Sequence, residues 1–176
     1  MKEHKGMRPQ DICILFKIIA KGEDSWYNKD LAVELKISNS EISESLYRSM
    51  QGQLIDDDKR GVYRKNLMEF LSYGLKHVFP VIPGRLGRGT ATAHSAPPLN
   101  EMISANEHYV WPDNKGKVRG LLVEPLYKTM PEAAKQDNHL YELLALADAL
   151  RIGRAREQQM AIKELEKRII HDEWSR

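Results

Sequence analysis

Apolar residues recur every three or four positions over the first fifty residues, and this period predicts three helices. The first helix is expected to begin at Pro9 and to end at Gly22. A second begins near Asn28, its predicted N-cap, and a third ends near Gly52. Their apolar faces comprise, in turn, Ile12, Leu15, Phe16 and Ile19; Leu31 and Leu35; and Ile42, Leu46 and Met50.

The second and third helices are separated by about three residues, which is a helix-turn-helix pattern. Ser38-Asn39-Ser40-Glu41 matches the capping box S-x-x-E, so the third helix is expected to begin at once. Its face opposite the apolar stripe is polar, as in recognition helices whose first residues meet base edges in the major groove. The residues on or just before this face are Ser38, Asn39, Ser40, Ser43, Glu44, Tyr47 and Arg48. A merely solvated face would carry the same residues, and Glu41 and Glu44 offset the charge of Arg48.

The stretch 29–46, KDLAVELKISNSEISESL, resembles the winged-helix transcriptional regulators of the broad MarR-like kind. The resemblance covers about the first 55–75 residues and implies a DNA-binding winged helix. Lys36 stands where that family usually has Gly. We therefore expect Lys36 to adopt a left-handed conformation, or the turn to follow an altered path.

The resemblance places a wing hairpin within residues 54–65, where basic side chains would contact the DNA backbone. Gly61 supplies a turn, but the segment is short and Asp56-Asp57-Asp58 would repel phosphates, so a truncated wing is expected. Another helical face then runs from Leu67 to Leu75 and ends before Pro80. The expected phosphate-contacting cations are Lys29, Lys59, Arg60, Arg64 and Lys65.

The rest of the chain differs in character. Residues 79–105 are rich in Gly and Pro, which excludes a long helix and predicts an ordered, extended connector. Two β-prone runs flank 113–117, whose turn residues predict a β-hairpin from Tyr109 to Pro125. Two long helices follow on either side of Gly153, and each can pack on the chain's own core or on a second copy.

These elements predict an α+β fold that is mostly helical. The expected divisions are a winged helix-turn-helix domain at 1–78, the connector at 79–105, and a hairpin-plus-helices unit at 106–176 for dimerisation or sensing. The net charge of +2 hides an uneven distribution, because residues 59–119 hold 10 Lys and Arg against 4 Asp and Glu. Within that basic region, Arg85 and Arg88 are either arms for the minor groove or ordinary surface arginines.

Motifs of common enzyme classes are missing from the sequence. It has no His-Glu-x-x-His pattern, no phosphate-binding loop motif and no dinucleotide fingerprint, so we expect a protein that is not an enzyme and uses no cofactor or metal. Cys13 is the single cysteine, so an internal disulfide is excluded, and it lies in an apolar run typical of a buried position. Apolar stretches are too short to cross a membrane, and we expect a cytoplasmic location.

The sequence therefore favours a sequence-specific regulator that binds double-stranded DNA. We expect a homodimer that represses its own gene from a near-palindromic operator. The alternative is a protein-interaction module that keeps the winged-helix shape but has lost DNA binding, for example an antitoxin-like partner of a neighbouring protein. A third possibility is a small-molecule sensor with a pocket between its two halves.

Overall fold

The computed structural model describes residues 5–174 and contains, in that range, eight α-helices and three β-strands. The helices are α1 (Pro9–Lys21), α2 (Asn28–Leu35), α3 (Asn39–Gln51), α4 (Arg64–Tyr73), α5 (Leu75–Val78), α6 (Met130–Ala134), α7 (Asn138–Ile152) and α8 (Ala155–Ile169). The strands are β1 (Leu86–Thr92), β2 (Tyr109–Pro112) and β3 (Val118–Leu122). The predicted α+β class, with helix predominating, is confirmed.

Local sequence signals explain where the first helices begin. Pro9 opens α1, and the Asp11 carboxylate accepts a hydrogen bond of 2.9 Å from the Arg8 backbone N–H. At α2 the N-cap is Tyr27 and not Asn28. The Asp30 carboxylate accepts a hydrogen bond of 2.7 Å from the Tyr27 backbone N–H, a group that has no partner within the helix.

The turn between α2 and α3 is Lys36-Ile37-Ser38, and Lys36 is left-handed, with φ 54° and ψ 43°. The expectation that a lysine takes the conformation usual for glycine at this turn is confirmed. Ser38 then caps α3 by accepting the Glu41 N–H at 3.2 Å. The turn is therefore held by a local backbone conformation and a local cap.

A tight turn follows α3, at the position where the truncated wing is expected. Its two arms form a single antiparallel bridge between Ile55 and Val62. The Asp56 carboxylate accepts hydrogen bonds from the backbone N–H groups of Arg60 and Gly61, both at 2.8 Å. The Asp56 carboxylate therefore stabilises the turn by binding its backbone N–H groups.

The strands form a small sheet that differs from the predicted hairpin. The first half of β1 pairs antiparallel with β3 and its second half with β2, while β2 and β3 run parallel to each other at Tyr109–Val110 and Leu121–Leu122. The hairpin prediction is wrong because β1, from within the predicted connector, pairs with both strands. The connector thus supplies the longest strand of the sheet.

Glycines allow the three strands to approach one another closely. A Cβ atom at Gly89 would collide with the backbone carbonyl of Trp111, and one at Gly116 would collide with the backbone of Gly89 itself. The turn after β2 is therefore pressed against the middle of β1. These positions therefore leave no room for a side chain.

One hydrophobic core serves the whole described chain. It runs without a break from the buried face of α1 through α7 to α8, so the predicted units 1–78 and 106–176 share it. Most of α7 is buried inside the protein, and the α8 face of Ala161, Leu165 and Ile169 is fully buried against it. The alternative that these apolar faces pack on a second copy is therefore wrong, because the chain's own core already covers them.

Candidate functional site

The two faces of α3 are clearly divided. Ile42, Ser45 and Leu46 are buried towards α1 and α2, whereas Asn39, Ser40 and Ser43 are exposed together with the cap Ser38. The Ser43 hydroxyl accepts a hydrogen bond of 3.2 Å from the Asn28 side chain, which links α3 to the start of α2. The N-terminal end of α3 thus presents short polar groups to solvent on a helix held from behind by the core.

Arg48 does not belong to that exposed face. Only 7% of Arg48 is exposed, and its guanidinium makes hydrogen bonds of 2.6 and 3.0 Å to the fully buried Asp11 carboxylate. It also reaches the Glu41 carboxylate at 2.6 Å. The expectation that Arg48 contacts bases is wrong, because the residue is buried and its Nε and Nη2 groups are bound to these two carboxylates.

The electrostatics of this cluster follow from its partners. Burial opposes the charge of Arg48, but the hydrogen bonds from its guanidinium to Asp11 and Glu41 outweigh burial and raise the pKa of Arg48. For Glu41, burial likewise opposes ionisation, yet the donors Arg48 and Gln10 hold its pKa below the usual range. Glu41 is thereby drawn towards Arg48, and only the serine half of the predicted capping box is formed.

Two of the expected phosphate contacts are bound to the protein itself. The Arg60 guanidinium lies 4.5 Å from the centre of the Trp26 ring and donates to the Trp26 carbonyl at 2.7 Å. Arg64 is half-buried and donates to the Ile169 carbonyl at 2.7 Å, so it caps the end of α8. Arg64 is therefore a structural residue, whereas Arg60, still exposed, is held at the base of the turn.

The other predicted contacts are exposed or partly exposed. Lys29 and Lys65 are exposed, and Lys59 is partly exposed at the tip of the turn, where its φ is 57°. Glu44 and Tyr47 are partly exposed. A hollow of about 400 Å³ separates α3 from the turn, and it is lined by Asn28, Ser43, Glu44, Leu46, Tyr47, Asp58, Lys59 and Arg60.

A second cavity, of about 720 Å³, lies on the other side of the turn. Its apolar wall includes Met50, Val62 and Tyr63 from the N-terminal elements and Ile170 after α8. Arg64 and Lys65 also line it. The cavity therefore joins the two parts of the chain that the sequence treats as separate units.

Sequence reasoning missed a buried carboxylate that connects the sheet to α7. Asp148 is 1% exposed and accepts hydrogen bonds of 2.7 Å from both the Thr92 hydroxyl and the Trp111 indole. Arg151 donates to its other oxygen at 2.8 Å. Burial raises the pKa of Asp148 despite these donors. No local motif marks Asp148, because Thr92 and Trp111 lie on strands far away in sequence.

His94 lines a further cleft beside the start of α8. Its Nε2 lies 2.9 Å from the Glu107 carbonyl, and its Nδ1 faces the Glu157 carboxylate at 3.9 Å. Arg154 and Arg156 stand on the opposite wall of a space of about 700 Å³. Acids and bases are mixed here, so the cleft does not select a ligand of one charge.

Within residues 5–174, no group of three or more His, Cys, Asp or Glu side chains is placed to hold a metal ion. In the same part of the chain, no helix has the length and apolar character needed to span a bilayer. Comparison of the chain with protein-family models, curated proteins and solved structures finds no match.

Proposed function

We propose that this protein is a transcriptional regulator that binds double-stranded DNA through a winged helix-turn-helix formed by residues 9–73. The observation that carries the proposal is the division of α3, which exposes Asn39, Ser40 and Ser43 at its N-terminal end while its other face is packed in the core. Recognition helices enter the major groove in this way, with their first residues against the base edges.

The exposed residues have chemistry suited to base readout. The Asn39 amide can donate and accept at once, as required for a bidentate contact with adenine, and the Ser40 and Ser43 hydroxyls can take either role. Lys29, Lys59 and Lys65 then position the helix on the phosphates. Arg48 acts behind the interface, where its ion pair with Asp11 fixes α3 on α1.

The proposed assembly is a homodimer on a near-palindromic operator, from which the protein represses its own gene. Two copies would place their α3 helices in half-sites about one helical turn apart, roughly 34 Å. Because the apolar faces of α7 and α8 are buried in the chain's own core, the dimer contact is expected on another surface of the chain.

Fluorescence anisotropy tests this function with a duplex from the gene's own upstream region and a shuffled duplex. The native chain is expected to prefer its own upstream duplex about a hundredfold or more. The double variant Asn39→Ala/Ser40→Ala should lose at least about tenfold of that preference, while its affinity for the shuffled duplex stays within about twofold. Gln159→Ala, on the exposed side of α8, is the matched control and should change neither value.

Equal affinity of the native chain for the two duplexes would refute sequence-specific regulation. An unchanged preference in Asn39→Ala/Ser40→Ala would refute the assignment of base readout to α3 even if the protein binds DNA.

A protein-interaction module is the second candidate, and the turn after α3 favours it. Asp57 and Asp58 are exposed at the tip where a wing would meet phosphates, and Arg60 is held back by Trp26. Absence of DNA binding, together with a stable complex with the product of a neighbouring gene, would establish this function in place of the first.

A further inference from the structure

The small sheet carries a concentrated set of cations on its exposed surface. The register of β1 and β3 sets Arg88 directly opposite Arg119, and both side chains are exposed. Lys117 immediately precedes β3, two residues before Arg119, and is also exposed. Arg85 and Lys115 are exposed at the two ends of this group. We call these five residues the basic sheet surface.

The cations of the basic sheet surface lack acidic partners. Across residues 5–174, none of the five forms an ion pair within 4.0 Å, although the structure contains many such pairs elsewhere. The nearest acid in sequence, Asp113, is engaged by Lys135 at 2.9 Å and by the Thr90 hydroxyl at 3.1 Å. The charge of this surface is therefore not neutralised by the fold.

Placing Arg88 opposite Arg119 has an energetic cost. Like charges directly opposite each other on neighbouring strands destabilise a sheet, whereas an opposite pair would stabilise it. The close glycine contacts at Gly89 and Gly116 hold the strands in place, so the cations cannot separate by moving the backbone. A bound anion would convert this repulsion into attraction.

We propose that the basic sheet surface binds the phosphate backbone of double-stranded DNA, an inference that rests on the proposed function for the identity of its ligand. Arginine guanidiniums bind phosphates through two parallel hydrogen bonds, and Arg88 and Arg119 offer two such groups side by side. DNA affinity at physiological salt comes largely from phosphate contacts. The turn after α3 supplies few of them, because Arg60 and Arg64 are bound to backbone carbonyls.

The test compares two double variants that remove the same charge from the full chain. Arg88→Gln/Arg119→Gln alters the basic sheet surface, and Arg154→Gln/Arg156→Gln alters two exposed arginines at the start of α8. Anisotropy is measured with the upstream and the shuffled duplex between 50 and 200 mM NaCl. For Arg88→Gln/Arg119→Gln, affinity for both duplexes should fall about tenfold or more at 50 mM. Its slope of log K against log salt should become shallower by about 1.8, two phosphates at about 0.9 each.

Folding is checked by thermal denaturation, where Arg88→Gln/Arg119→Gln should melt no lower than the native chain because it removes a repulsive pair. If that variant does not fold, Lys115→Gln/Lys117→Gln replaces it, with the same expected change in slope. The Arg154→Gln/Arg156→Gln control should retain the native slope. Equal losses in the two arginine variants would overturn the proposal, because they would reflect net charge alone.

The outcomes separate this proposal from the proposed function. If Asn39→Ala/Ser40→Ala loses discrimination but Arg88→Gln/Arg119→Gln leaves affinity and slope unchanged, the sheet proposal is overturned and the α3 function stands. If the native chain binds both duplexes equally and Arg88→Gln/Arg119→Gln weakens both, the sheet proposal stands and sequence-specific regulation fails.

Leu86 and Ile82 are exposed next to the basic sheet surface, so anionic lipid is the rival occupant. Vesicles of phosphatidylcholine with phosphatidylserine provide that arm of the experiment. Binding to these vesicles without binding to DNA, lost in Arg88→Gln/Arg119→Gln, would overturn DNA as the occupant. Binding to neither probe would overturn the proposal altogether.

Discussion

Arg48 gives the sharpest test of how the N-terminal unit is held together, through the substitution Arg48→Met. Methionine has a similar reach but no charge, so it would leave the Asp11 carboxylate buried without its guanidinium. Breaking a buried ion pair by removing one partner costs about 3–5 kcal/mol. The Arg8 N–H would still donate to Asp11, but Glu41, partly exposed, is expected to turn towards water. We therefore expect a loss of about 3–5 kcal/mol in the free energy of unfolding.

Urea denaturation followed by far-ultraviolet circular dichroism measures this loss. The matched control is the double variant Asp11→Asn/Arg48→Met, which removes both charges and should recover at least about 2 kcal/mol relative to the single variant. A loss below about 1 kcal/mol in Arg48→Met, or no recovery in the double variant, would refute the role of the buried pair. Where Arg48→Met remains folded, its preference between upstream and shuffled DNA should match that of the native chain within about twofold.

Three further predictions concern the packing, the turn and the response to acid. Gly89→Ala should lower the free energy of unfolding by about 3 kcal/mol, because its methyl group would collide with a backbone carbonyl. Gly52→Ala is the control: its methyl group would make only ordinary van der Waals contacts and its backbone angles suit alanine, so the change should stay within about 1 kcal/mol. Equal effects of the two variants in urea denaturation would contradict the close packing of the sheet. Lys36→Gly should raise the free energy of unfolding by about 1 kcal/mol, because glycine adopts the left-handed conformation without the steric cost of a Cβ atom. Lys36→Ala keeps the Cβ atom and should not stabilise the protein. A glycine variant less stable than the native chain would argue against this conformation. Burial opposes ionisation of Asp137, but the hydrogen bond of 2.6 Å that Lys17 donates to it and the N-cap hydrogen bond from Leu140 outweigh burial and hold the pKa of Asp137 below the usual range. The ionised carboxylate therefore stabilises the fold above about pH 4, and this contribution is lost as the pH falls through the folded-state pKa. Asp137→Ser keeps a capping oxygen and should narrow the difference in unfolding free energy between pH 7 and pH 2.5, and an unchanged difference would show that Asp137 does not contribute to acid lability.

Local patterns were sufficient for the elements that depend on local interactions. The helical period placed α1, α3 and the apolar face of α8 correctly, and Gly22 and Gly153 mark the helix ends that the sequence indicates. The left-handed conformation of Lys36 was one of two alternatives that the family resemblance implied at this turn. In each case the determining hydrogen bonds or side-chain contacts span four residues or fewer, a distance that a short sequence window contains.

The candidate site was predicted only in part, because side-chain partners are set by distant residues. Asn39, Ser40 and Ser43 are exposed as the polar stripe of α3 indicates. The helical period assigns Arg48 to the same polar stripe, yet its partner Asp11 is 37 positions away in sequence. A charged residue at the border of a helix face can turn towards solvent or towards a buried carboxylate, and periodicity does not distinguish the two.

The sequence by itself therefore determined the long helices, the Ser38 cap and the polar end of α3, since these follow from contacts within one or two helical turns. The tertiary structure alone decided the strand pairing. A local turn could have joined β2 and β3 into a hairpin, but β1, which is distant in sequence, pairs with both strands. It also decided which cations are free. Arg64 is bound to the end of α8, 105 positions away, whereas Arg88 and Arg119 are brought side by side without an acid. Only folding sets which charges share a low-dielectric interior and which face water.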